Sequence, residues 1–173
     1  NNATLVIVGD VDAGDALRQA IRHFGAIAPG EIAKRPLTTE PEQIGERRVT
    51  IAREGTTAYL KLGFHAPSIH DEAFFPMLVL DAVLTGANGV NLWASFRTPP
   101  PQRSARLYRA LVDGGVASAV SGGLVPTQEP FLYTISVTAT EGTPLAKVED
   151  VTFAQLDAVR RHGITPQELR RAQ

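Results

Sequence analysis

The chain opens on a short continuous apolar run, Leu5, Val6, Ile7 and Val8, closed by Gly9. Its β-branched content predicts a buried strand. The spacing then changes. Leu17, Ala20, Ile21 and Phe24 share one face of a helix predicted over residues 13–24, with Asp12 as N-cap and Gly25 as the stop. Residues 26–45 carry Pro29, Gly30, Pro36 and Pro41 with little periodicity and read as a loop. Residues 46–53 and 57–65 flank Glu54 and Gly55. In the second stretch Ala58, Leu60, Leu62 and Phe64 alternate onto one face, so a hairpin is expected. Asp71 is expected to cap a helix in which Met77, Leu78, Leu80, Ala82 and Leu84 crowd densely enough to bury most sides. Pro76 costs that helix only an early hydrogen bond, and Gly86 ends it.

The second half repeats helix and hairpin in a similar order, without a repeat of solenoid length. Residues 87–102 contain Trp93, Phe96 and the run Pro99, Pro100 and Pro101, and predict an extended, partly polyproline insertion. A short helix is expected from Ser104 to Val112, stopped by Gly114 and Gly115. Residues 117–124 and 131–138 predict a second hairpin, in which Phe131, Tyr133, Ile135 and Val137 share a face. Leu145, Val148, Leu156 and Val159 fit a further helix closing at Gly163. Thr165, Pro166 and Glu168 are a strong start signal for another. Local hairpins joined by helices, rather than strict alternation of strand and helix, predict an α+β fold with a mostly antiparallel sheet covered by helices.

Composition narrows the function classes. The 173 residues include 43% hydrophobic and 20% charged side chains, an ordinary globular profile. Length favours one domain over two small ones. Seventeen Lys and Arg against eighteen Asp and Glu leave a formal charge of -1, so no broad basic surface is available to neutralise the phosphates of a nucleic acid. The chain has no Cys, which removes disulfides and thiolate zinc sites and leaves the compartment undecided, since a Cys-free chain suits a periplasm or a cytoplasm equally. Its longest apolar stretches fall short of the roughly 18 residues of a spanning helix.

Candidate chemistry is sparse. The turn from Gly9 to Asp15 crowds carboxylates and glycines, but it lacks the terminal Glu of a calcium loop and the Lys of a phosphate loop, so capping by Asp10 or Asp12 is the expected role. His65 and His70, followed by Asp71 and Glu72, are the densest set of metal-ligand types, yet the five-residue step and Pro67 keep the two imidazoles off one helical face. His23 and His162 stand near helix C-termini, where an imidazolium favours the dipole. Ser121 is followed by Gly122 and Gly123 but sits in no nucleophile elbow. The two glycines mark a bulge or a close backbone contact in a strand. No catalytic, cofactor-binding or metal-binding residue is assigned to this chain.

Five segments, in order, resemble the C-terminal domain of insulinase and pitrilysin zinc metallopeptidases, the group that includes the mitochondrial processing peptidase type. They are ATLVIVGDVD at the start, EPEQIGERRV, a strand ending at Pro67 before the Asp71 helix, SARLYRALVD, and GITPQELRRAQ. The resemblance implies one of several homologous α+β domains that together enclose a chamber. In that family the metal is held by an inverted zinc motif, H-x-x-E-H, on another domain, two His binding zinc and the Glu activating water. None of the four His of this chain belongs to such a motif. The resemblance therefore implies no zinc here and zinc in a missing N-terminal domain, with residues 1–173 a single C-terminal-type domain cut from a longer chain. The family also uses an Arg and a Tyr to hold the substrate carbonyl. Aligning LVDGGVASAV to that segment puts Val112 at the Arg position and Ser118 at the Tyr position, so neither group is present, and Arg106, Tyr108 and Arg109 read as helix-surface residues.

The expected function is that of a non-catalytic chamber-wall and partner-contact domain of a zinc metalloendopeptidase. Its partners would be peptide substrate and homologous domains or a second subunit. The alternative is a structural homologue without proteolysis, like a core subunit of a respiratory complex. An independent ligand-binding domain ranks third.

Overall fold

The computed structural model describes residues 3–31, 43–87 and 102–172, and they divide into two units, Asn1–Thr50 and Ile51–Gln173. In the first unit α1 runs Ala13–Phe24. Asp12 Oδ1 accepts from the Asp15 backbone N–H at 2.8 Å, supplying one of the orphan donors of the first turn. Its last turn carries Arg22 and His23 before Gly25. No α1 side chain is buried, and Leu17, Ile21 and Phe24 are each more than half exposed. The expected strand at Leu5–Val8 is not formed among the described residues.

The second unit holds the core. β1 (Tyr59–Ala66) is followed by α2 (Phe74–Leu84) and a short π-helical segment (Tyr108–Asp113). Then come β2 (Ala117–Leu124), β3 (Phe131–Ala139), α3 (Leu145–His162) and α4 (Pro166–Ala172). The strands form one antiparallel sheet of order β1-β3-β2. The second hairpin falls where the pattern put it. The first does not: residues 46–53 form no strand, and β1 pairs instead with β3, Leu62 opposite Ile135 and Phe64 opposite Tyr133. The proline-rich stretch lies almost wholly outside the described residues.

Helix ends follow local chemistry. α2 starts at Ala73 without a side-chain cap. Asp71, expected as the cap, stands two residues before it, its carboxylate accepting from the Ala73 N–H at 2.8 Å and its carbonyl from the Phe74 N–H at 3.0 Å. Gly86, Gly115 and Gly163 take positive φ at the ends of α2, the π-helical segment and α3, where a side chain would be strained. The segment expected to be an ordinary helix from Ser104 is π-wound over most of its length.

On one side of the sheet Leu60, Leu62, Tyr133, Ile135 and Val137 pack with Phe74, Leu84, Leu107, Leu111 and Val148, contributed by α2, the π-helical segment and its approach, and α3. Ile135 and Val148 are fully buried. Phe131, expected on the same face, is more than half exposed because it lies at the strand's end.

Candidate functional site

The alternation of the strands puts the remaining side chains on the face away from those helices. β1 contributes Tyr59, Lys61, Gly63 and His65; β3 contributes Leu132, Thr134, Ser136 and Thr138; β2 contributes Ala119, Ser121 and Gly123. Lys61, Gly63 and His65 are exposed, and Ser121, Gly123, Thr134, Ser136 and Thr138 are half-buried. Register aligns them in rows across the strands, Lys61 beside Ser136 beside Ser121, and Gly63 beside Thr134 beside Gly123. The face is rich in hydroxyl groups and has no carboxylate at any of these positions.

The opposite side of β2 meets a buried polar cluster. Gly122 faces α2, and a Cβ built there would collide with Thr85 Oγ1 and stand 2.7 Å from Asp81 Oδ1. Gly122 thus marks a close contact, Gly123 has room for a Cβ, and the bulge of this strand lies at Ser118, between Ala117 and Ala119. Thr85 Oγ1 donates to Asp81 Oδ1 at 2.6 Å, and both residues are buried. The buried Tyr133 hydroxyl faces this pair, and both the charge and the hydrogen bonding of Asp81 act on it. Burial raises the Tyr133 phenol well above the usual range, and Asp81 raises it further, so it stays neutral. Sequence patterning missed this cluster. The available signal was a lone Asp81 in the middle of an apolar helix, where burial demands a partner.

Arg106 is not the surface residue expected. Its side chain is only 18% exposed, and it grips Glu168 with Nε to Oε1 at 2.5 Å and a second nitrogen to Oε2 at 2.7 Å. The second nitrogen also donates to the Gly163 carbonyl at 3.3 Å. Glu168 in turn accepts from the Thr165 N–H at 2.7 Å and the Thr165 hydroxyl at 2.8 Å, while the Glu168 N–H donates to Thr165 Oγ1 at 3.2 Å, a capping box at the start of α4. Hydrogen bonding from Arg106 is the main reason that the Glu168 carboxyl is held down at about 2.

The remaining candidates are dispersed. His65 lies on the open sheet face, whereas His70 and Glu72 are exposed beyond the strand and Asp71 is engaged at the start of α2. His162 is exposed at the end of α3, and His23 lines an apolar cleft between α1 and Leu5, Ile7 and Val11 in the first unit. Among the described residues no three His, Asp or Glu side chains come together to hold a metal ion. Val112 is half-buried in the π-helical segment, and Ser118 sits on the bulge, its hydroxyl donating to the Thr138 carbonyl at 3.3 Å. The two positions implied by the resemblance thus offer neither a cation nor a phenol.

An antiparallel sheet packed on one face by the helices of its own unit defines an α+β domain. The chain belongs to the peptidase M16 inactive domain family, whose model matches residues 1–173. Solved structures agree on the fold. A protease from Helicobacter pylori superposes with a TM-score of 0.78 at 18% identity, over 95% of this chain and 37% of that one. A peptidase M16 inactive domain from Pseudomonas fluorescens gives 0.60 at 21% identity, over 95% of this chain and 36% of that one. An inactive peptidase domain from a Bordetella parapertussis protein assigned as a zinc protease gives 0.53 at 23%, over 72% and 60%. The chain therefore spans less than two thirds of the length of each. No curated protein matches its sequence. Among the described residues, no helix is long and apolar enough to cross a membrane.

Proposed function

We propose that the domain is a wall and contact module of a zinc metalloendopeptidase, in which peptide lies against the face of the sheet turned away from α2 and α3 and the metal and water-activating carboxylate belong to another domain. The observation that carries this reading is the two-sidedness of the sheet. One face is committed to an apolar core, and the other presents hydroxyls, a glycine row and few charges, a surface suited to an extended backbone. The family match supplies the peptidase context and the inactive character. On this reading the domain's contribution is enclosure and positioning, which raise the effective concentration of peptide at a centre supplied elsewhere. Homologous domains or a second subunit would complete the enclosure.

The test has two arms. Elemental analysis of the purified chain should find far less than one zinc per molecule, and a quenched peptide library should be left uncut. Added to a homologous protein bearing an intact H-x-x-E-H motif, the chain should raise its rate of peptide hydrolysis. Stoichiometric zinc in the isolated chain, or hydrolysis by it alone, would refute the proposal. No effect on the zinc-bearing protein would favour a scaffold without proteolysis.

A further inference from the structure

At its described strand positions, the sheet face turned away from α2 and α3 carries charge of one sign only. Lys61 projects from the middle of β1, is exposed, and pairs with no acidic group among the described residues. Across the sheet from it stand Ser136 and Ser121. Adjacent strands are about 4.8 Å apart, so the row spans roughly 10 Å, the reach of about three extended residues. The next row is open to the backbone: a Cβ at Gly63 or Gly123 would come no nearer to a neighbour than 3.8 Å and 3.7 Å. An ordinary solvated face would mix both signs of charge. This one combines a cation, hydroxyl donors and an absence of carboxylates, and electrostatic complementarity sets which peptides it accepts.

We propose that this face selects extended peptide segments that carry a carboxylate, with Lys61 as the anchoring cation and the hydroxyls of Ser121, Ser136 and Thr134 hydrogen-bonding along the segment. The inference rests on the reading of this face as a wall for peptide, and it adds the class of peptide. A basic segment meets no counter-charge on the face and is disfavoured by Lys61 itself.

The experiment titrates the isotope-labelled 173-residue chain with two blocked peptides of equal length, identical except that one carries Glu where the other carries Lys. The Glu peptide should shift the amide resonances of Gly63, Gly123 and Ser136 and bind about two- to fivefold more tightly, the span expected of one exposed ion pair. Lys61→Gln should level the two affinities, and Lys61→Glu should reverse their order. Lys61 is exposed and contributes nothing to the core, so both variants should keep the wild-type circular dichroism. Shifts elsewhere only, equal affinities, or a preference unchanged in Lys61→Glu would overturn the inference. A chain that stimulates the zinc-bearing protein but shows no charge preference sinks this inference alone. A charge preference without stimulation sinks the peptidase reading and leaves the binding face standing.

Discussion

Gly122 shows how a single hydrogen atom decides packing. Its α-carbon lies under Thr85 and Asp81, which are bonded to each other and buried, so neither can swing away to admit a methyl. Gly122→Ala should cost about 1–3 kcal/mol, as overpacking does in a filled interior, read as a lower urea midpoint at unchanged m-value. Gly123→Ala, whose added carbon would meet only Thr134 Oγ1 at 3.7 Å, is the control and should change little by comparison. Tyr133 on the neighbouring strand adds a pH limit. Its folded phenol holds a proton more tightly than the free side chain, so stability is intact below the ordinary phenol value of about 10 and falls as pH rises beyond it. The glycine pair was read as a bulge or a close contact, and only Gly122 makes the contact. The partners that make it close were not legible, because nothing local in the sequence points from β2 back to the distant helix α2.

At the scale of elements, legibility followed sequence distance. α1, the β2–β3 hairpin and the start of α4 were readable because each is set by residues within a few positions: Asp12 bonding Asp15, a short link between two alternating runs, Thr165 and Glu168 capping each other. β1 was placed correctly but given the wrong partner. Glu54 and Gly55 offered a turn, yet the strand found β3, whose buried alternation complements its own. The π winding after Leu107 has no sequence signature in the pattern that suggested a helix there. Arg106 was misread for the same reason as β1, since its partner Glu168 is 62 positions away. That pair fixes α4 and makes a prediction in acid. Glu168 sits at about 2 when folded against an ordinary 4.5, so its contribution is complete above the ordinary value and is lost as pH falls from about 5 towards 2. Glu168→Gln should cost about 1–2 kcal/mol at pH 7, a range for a partly exposed charged hydrogen bond. The gap to wild type should close as the pH of the denaturation series is lowered to about 2.

At the scale of the whole molecule, the buried cluster of the second unit is centred on β3. Ile135 is fully buried between Leu62 on one neighbouring strand and the Gly122 position on the other, with the helices above. Ile135→Ala should cost about 2–5 kcal/mol, the range for truncating a buried aliphatic side chain, seen as a cooperative transition at lower denaturant. The fold class could be read in advance because it depends on periodicities of two and 3.6. The inactive character expected from the resemblance is carried by the family match over residues 1–173.

The two pairings of β3 close loops of very different length. Pairing with β2 spans a link of six residues, from Val125 to Pro130. Pairing with β1 joins Leu62 to Ile135, 73 positions apart. Closing that longer loop carries the larger entropy. Nascent chains should therefore acquire this sheet only after Ala139 has been made, with β1 waiting as an uncommitted apolar segment until its template exists.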